Sequence, residues 1–297
     1  MVIDMTASAM LPRTASRAAQ LVAVSERSTH DPFREVDWSI PIDDRAFHLP
    51  PELLSLYGTT AWAAMTESER IAYSRHEAAA LLGAGIWFEN ALMQVVLRHL
   101  MAIDVTDPMH RYLLVEVADE CRHSMMFGEF IRRAATPSYA PDRPVIVDDT
   151  GSGRSLSYLL ILAIEELLDH ANRLTMRDER VHPVSRQIAK LHVLEEARHV
   201  SFAKTYLAEV WTTLDADEQA TVVTAAPTLV AEIVSLSLNP AVFAHLGIDR
   251  GAAIALANPH RRANVVAGLA KLTGFLEEVG IIDDRRQWAE LGLVLAD

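Results

Sequence analysis

The chain has 297 residues, half of them hydrophobic, with 27 basic against 40 acidic side chains and a formal net charge of −13. That apolar supply suffices for one large core, while the acidic balance argues against nucleic acid, which needs a basic face to meet its phosphates. A single cysteine, Cys121, leaves no disulfide framework and no zinc–thiolate site, and fits a reducing cytoplasm.

Residues 1–30 carry Arg13, Arg17 and several Ser and Thr but few acids. Without a clear apolar leader they are expected to form a flexible N-terminal arm. From 31 to 297 the chain reads as one all-α domain. Asp31 to Pro51, with Trp38, Pro41 and Pro50, is expected to wrap the helices that follow. The first long helix is predicted from about Thr66 to Met101, opening on Thr66-Glu67-Ser68-Glu69, a capping run. A turn at Ile103–Pro108 leads to a second helix, from Asp107 to about Ala135. The stretch 136–153, with Pro137, Pro141 and Pro144, is long enough to cross from one helical hairpin to another. A third helix is predicted over about Ser155–Arg177 and a fourth over about Pro183–Leu214. Asp215–Leu238 reads as a helix interrupted by Pro227; short helices follow, then a long one from Pro259 to Val279. Strand alternation is absent. The longest uninterrupted apolar stretch, Ala78–Phe88, has eleven residues against the roughly 18 a membrane span needs, so no membrane segment is expected. The predicted architecture is a four-helix core with helices added at its C-terminal end.

Two five-residue words carry the chemistry. Asp119-Glu120-Cys121-Arg122-His123 and Glu195-Glu196-Ala197-Arg198-His199 both read acid-Glu-x-Arg-His, 76 positions apart. A Glu-x-x-His pair puts both side chains on one helix face. Two such pairs across a bundle, plus one Glu from each partner helix, make a carboxylate-bridged dinuclear metal site. Glu89 lies 31 residues before Glu120, and Glu165 lies 31 before Glu196. Glu89 and Glu120 stand 15 and 16 residues from Asp104 in the turn, so both sit about 23 Å from it. The second hairpin turns near Asp178–Pro183 at similar distances, which lets four glutamates meet in one layer. Both Glu89 and Glu165 sit in apolar runs, where a carboxylate needs a proton or a cation.

His192 precedes Glu196 by four and His199 by seven, so it is expected to face the same centre. Its counterpart 76 residues earlier is Glu116, read as a carboxylate lining the cavity. A metal-bound imidazole usually gives its other N–H to a carboxylate. By symmetry, Asp119 is expected to reach His199 and Glu195 to reach His123, with Arg122 and Arg198 pairing those acids. His110, His170, His182, His245 and His260 read as surface or loop residues, Asp169 as solvated, and Cys121 as a small buried residue.

Carboxylate and imidazole donors without thiolate suit iron, with manganese possible, held for oxygen chemistry. On Glu89, Glu120-x-x-His123, Glu165, His192 and Glu196-x-x-His199, the chain resembles the AurF-type p-aminobenzoate N-oxygenases, a ferritin-like di-iron family. The third histidine is the most specific element of the match, which covers the chain from about residue 31 to the C-terminal helices. The resemblance implies two iron ions, O₂ as co-substrate and an external electron donor. The reaction it implies is stepwise oxidation of a small arylamine to hydroxylamine, nitroso or nitro product by a homodimer. Glu77–Phe88, leading to Glu89, contains no Arg or Lys to meet a benzoate carboxylate, so another aryl or alkyl amine is expected as readily. The competing readings are a di-iron hydroxylase or desaturase acting on carbon, an iron-storage shell, and a metal-free interaction bundle. The last leaves buried glutamates without a counter-charge.

Overall fold

The computed structural model describes residues 11–141 and 151–295. Its helices are α1 (Pro12–Ser25), α2 (Pro32–Glu35), α3 (Thr60–Ala64), α4 (Glu67–Leu100), α5 (Pro108–Ala134), α6 (Gly151–Thr175), α7 (Pro183–Trp211), α8 (Ala216–Leu236), α9 (Pro240–Leu246), α10 (Gly251–Ala257), α11 (Pro259–Val279) and α12 (Arg286–Glu290). The fold is all-α. Among the described residues there is no strand, only an isolated bridge between Phe47 and Val181.

Local chemistry sets the helix ends. Thr66 and Glu69 form a reciprocal capping box at the start of α4, the Thr66 amide donating to Glu69 Oε2 at 2.7 Å. Asp107 caps α5 by accepting from the Met109 amide at 2.7 Å. His182, expected at the surface or in a loop, lies in the loop before α7 and is buried. Its Nδ1 accepts from the Val184 amide to cap α7, and its Nε2 donates to the Pro41 carbonyl at 3.1 Å.

Helices α4 and α5 pack as one hairpin and α6 and α7 as the other; α4 touches α6 and α5 touches α7 across the core. Buried rings pack both within and between the hairpins. Tyr158 of α6 lies 4.1 Å, centroid to centroid, from Tyr206 of α7, and Tyr112 of α5 lies 4.7 Å from Phe202 of α7. Such pairs add about 1 kcal/mol each beyond their burial. Helices α8 and α11 lie over α6. Helix α8 runs unbroken through Pro227, contrary to the expected interruption. The proline is buried, and one missing N–H costs less than ending an amphipathic helix there.

The expected flexible arm is corrected from residue 12 onward; residues 1–10 lie outside the described part. Helix α1 packs against α5 and α7, burying Ala18, Leu21 and Val22. Its free amides are met from a distance: Arg13 N, Thr14 N and Thr14 Oγ1 all donate to the Glu209 carboxylate, at 2.9, 2.7 and 2.7 Å. A negative charge at a helix N-terminus is favourable, and this one nails the segment to α7. Residues 142–150 of the expected crossover also lie outside the described part, and Gly151–Gly153 open α6 rather than end the crossover. By length and composition, α4 and the segment Ala216–His245 are both apolar enough to cross a membrane. Here α4 packs on α5 and carries Glu89 into the interior, while α8 packs on α6.

Burial of neutral histidines makes stability depend on pH. His48 donates from Nε2 to the Asp43 carbonyl at 2.9 Å, and His99 Nδ1 lies 3.0 Å from Tyr158 Oη. Burial pushes both imidazoles down to about 4, while the unfolded chain titrates near 6.5. The unfolded state therefore binds protons first. The stabilisation is complete above pH 6.5 and is lost as pH falls toward 4, by up to about 3 kcal/mol per histidine. Urea midpoints measured from pH 7 to 4 should fall, and the slope should flatten in His99→Gln. An identical slope in that variant would refute the assignment.

Candidate metal centre

Midway along the four long helices the interior turns from rings and aliphatic chains to acids and imidazoles. Glu89 comes from α4; Glu116, Asp119, Glu120, Arg122 and His123 from α5; Glu165 from α6; and His192, Glu195, Glu196, Arg198 and His199 from α7. Except for Arg122, which is partly exposed, every one of these residues is buried.

The two repeated words face each other with matching geometry. His123 Nδ1 lies 2.8 Å from Glu120 Oε2 and 3.0 Å from Glu196 Oε1. His199 Nδ1 lies 2.9 Å from Glu196 Oε2 and 2.8 Å from Glu120 Oε1. Each imidazole thus aims Nδ1 at both central glutamates. Each Nε2 crosses to the opposite hairpin: His123 to Glu195 Oε2 at 2.9 Å, His199 to Asp119 Oδ2 at 3.2 Å. Those acceptors hold the proton on Nε2, which leaves the Nδ1 lone pair pointing inward. Arg198 Nη2 donates to Asp119 Oδ2 at 3.0 Å and lies 3.7 Å from Glu195 Oε1, and Arg122 pairs with Asp119. Two acids are thereby balanced by two guanidiniums outside the cage.

His192 approaches from the other ring edge. Its Nε2 is 3.6 Å from Glu89 Oε1 and 3.5 Å from Glu196 Oε1, and its Nδ1 is 3.1 Å from the Asn172 amide. The amide nitrogen Nδ2 faces the ring; turned over, the amide would instead accept Nδ1–H and free the Nε2 lone pair. The sequence reading missed Asn172. Its signal was spacing: it follows Glu165 by seven residues and shares its helix face.

The electrostatics show what the cage lacks. Both oxygens of Glu89, Oε2 of Glu165, Nε2 of His192 and both oxygens of Glu116 have no hydrogen-bond partner. Burial, reinforced by the charges of Glu120 and Glu196, drives Glu89 and Glu165 well above the usual carboxylate range. Burial also opposes ionisation of Glu120 and Glu196, but the facing imidazoles outweigh it and hold both below that range. In His123 and His199 burial is likewise overcome, in His123 by hydrogen bonds to Glu120 and Glu195 and in His199 first by the charges of Glu196 and Glu120, and both are raised. Burial, aided by the neighbouring imidazoles of His123 and His199, pushes His192 down to about 4, so it stays a neutral donor; burial, aided by the carboxylates of Glu120, Glu196 and Asp119, pushes Glu116 up to about 8. Orphaned oxygens this deep need a cation. Glu89, Glu120, Glu165 and Glu196 together carry the charge that two divalent ions cancel. Candidate donor atoms fall within 4.8 Å of one another in four overlapping groups, among them Glu89–His123–His192 and Glu165–His192–Glu196. A third, Glu116–Glu120–His199, brings Glu116 inward as closely as the other donors. The donor set fits a pair of hard or borderline divalent ions.

Beside Glu165 a cavity of about 280 Å³ opens between α4, α6 and α8, walled by Trp87, Phe88, Ile161, Ile164 and Ile233. It gives an apolar approach to the carboxylates. Cys121, expected to be buried, is exposed, its Sγ 3.6 Å from Met93 Sδ. The one-residue step off the metal face carries it outward between α4 and α5 instead of into the core. Asp169 is buried and bridged to Arg173 and Lys271, each at 2.7–2.9 Å, rather than solvated.

The family model for p-aminobenzoate N-oxygenase AurF matches residues 12–280. The chain belongs to this family. The match begins with α1, inside the segment expected to be a loose arm, and covers every helix contributing to the cage. The family takes its description from an oxygenase, a class of oxidoreductase. The chain is also similar to the uncharacterized protein Mb0909 of Mycobacterium bovis and the uncharacterized proteins MT0908 and Rv0885 of Mycobacterium tuberculosis. Each is 28% identical over 200 residues, 64% of this chain. The match spans 59% of the length of these relatives.

Proposed function

We propose that this AurF-family chain uses O₂ to oxidise an aryl or other primary amine at nitrogen, giving a hydroxylamine, nitroso or nitro product. Glu89, Glu120, His123, Glu165, His192, Glu196 and His199 would hold two iron ions, and manganese suits the same donors. The observation that carries this reading is the set of buried, partnerless atoms on Glu89, Glu165 and His192, all in one dry layer. When bound, a ferrous pair supplies the two electrons that O₂ activation requires. The protein's own part is threefold. Asp119 and Glu195 fix the imidazole tautomers, the stacked rings and aliphatic walls exclude water, and the cavity at Glu165 admits an apolar amine. Reloading the metals calls for an external electron donor.

A homodimer is proposed with it. Leu97 of α4, Met101 just after it, and Leu114, Cys121 and Met125 of α5 are each exposed along the first hairpin. The single free thiol suits a reducing cytoplasm. The deciding experiment loads the chain with iron without oxygen, admits O₂, and follows absorbance with and without a panel of arylamines. Two irons per chain, an optical change reversed only by amine, and product oxygen on nitrogen are expected, from a species weighing two chains by light scattering. Oxygen found on carbon, or a chain that binds no metal, would overturn the reading.

A further inference from the structure

One arginine faces an internal chamber that the metal cage does not use. The chamber, about 130 Å³, follows the α4–α6 seam beneath α8 and α11. Phe88, Ile164 and Ile233 line both it and the cavity at Glu165, so the two spaces share those three side chains as a common wall. Along α4 its lining runs from Phe88 through Ala84, Leu81 and Ala80 to Glu77. Those eleven helical steps extend roughly 16 Å.

That wall is apolar for most of its length, and the polar groups gather at the end away from the metals. There Glu77 accepts from the Ser55 amide at 2.8 Å, the Ser55 hydroxyl at 2.5 Å and the Tyr73 hydroxyl at 2.6 Å. Arg261 enters from the first turn of α11. The cap of that helix, Asn258, donates to the carbonyls of Ser55 and Tyr57 at 2.9 Å each, which holds Arg261 at the Glu77 end. Only Nη2 of Arg261 is engaged, with Val234 O at 3.3 Å and Ser237 Oγ at 3.1 Å. Among the described residues its Nε and Nη1 donate to nothing, and no carboxylate lies within ion-pair distance. Burial draws its pKa below the ordinary arginine value, against the opposing pull of the Glu77 carboxylate.

We propose that the chamber takes the far end of the substrate, an elongated and mostly apolar amine ending in a carboxylate that Arg261 receives. The nitrogen end then lies beside the metal cage once Phe88 and Ile164, the shared wall, turn aside to join the two spaces; that half rests on the amine-oxygenase reading, whereas the anion site stands on the chamber alone. A guanidinium offers a carboxylate two parallel N–H donors, and Arg261 has the free ones to do so. Length sorts the candidates. A single-ring amino acid is much shorter than the wall and reaches one end only, while two linked rings or a ring with an acyl tail reach both.

The test uses the full iron-loaded chain held free of oxygen, so that binding is read without turnover. Titration calorimetry compares 4′-aminobiphenyl-4-carboxylate, its methyl ester and 4-aminobenzoate. The biphenyl acid is expected to bind at least about tenfold more tightly than its ester, the effect of a charge-assisted hydrogen bond. Arg261→Gln should erase that preference while iron content and ester affinity stay within about twofold. Leu81→Trp, which fills the chamber and leaves the arginine, should weaken the biphenyl acid and spare 4-aminobenzoate. Equal affinity for acid and ester in the unaltered chain, or an unchanged acid affinity in Arg261→Gln, overturns the proposal. Acid-selective binding with no amine oxidation would instead sink the amine-oxygenase reading and leave the anion site standing.

Discussion

Replacing His199 with Ala is expected to leave the chain with about one iron or fewer and only a trace of oxygenase activity. The imidazole does two things at once. Its Nδ1 faces Glu120 and Glu196, and its Nε2 ties α7 to Asp119 of α5. Loss of a side chain one step removed from a metal typically weakens metal binding 10–100-fold, so a group aimed straight into the cage should exceed that. The deletion also leaves Asp119 short of a donor and the central glutamates short of a positive neighbour. Iron per chain by elemental analysis, alongside the melting curve, checks this. A variant that keeps two irons and full activity would remove His199 from the site.

The second large effect is expected at Asp119, which lies outside the proposed ligand set. Asp119→Ala should lower iron affinity about 10–100-fold, because nothing then fixes the His199 tautomer. It should also cost about 3–5 kcal/mol in stability, since Arg198 is buried and would lose its closest partner, with Arg122 affected as well. Asp119→Asn separates the two roles. Its amide oxygen still accepts from His199 Nε2, so metal binding should largely recover, while the charge needed by the arginines is gone and the stability loss should persist. Metal titrations and urea unfolding run on both variants read the two effects independently. Equal stability of the unaltered chain and Asp119→Ala would refute the network.

Much of this centre was legible in the sequence because its geometry is a property of single helices. A three-residue step fixes Glu120 beside His123 whatever surrounds them. The 76-residue repeat then fixes the pairing of the hairpins, from which the crossing hydrogen bonds of Asp119 and Glu195 follow. The bounds of α4, α5 and α11 were equally readable, since Thr66, Asp107 and Pro259 are local start signals.

What escaped depends on partners distant in sequence. Helix α1 hides Ala18, Leu21 and Val22 among small and polar neighbours, and its cap is Glu209, almost two hundred residues away. Asn172 gains meaning only once His192 is known to turn its Nδ1 toward α6. Arg261 looked like any basic residue near a helix start, and it acquires a chamber only when α8 and α11 fold back over α6. Cys121 went astray for the same reason: inward and outward were settled by neighbouring helices, not by local pattern.

The duplicated scaffold breaks its own symmetry at one place. Where one half offers His192, the other offers Glu116, so one end of the cage is rich in nitrogen and the other in oxygen. Two metal ions seated there would not be twins. They would differ in affinity and in ease of electron loss, and the protein could fill and discharge them in a set order with no moving part.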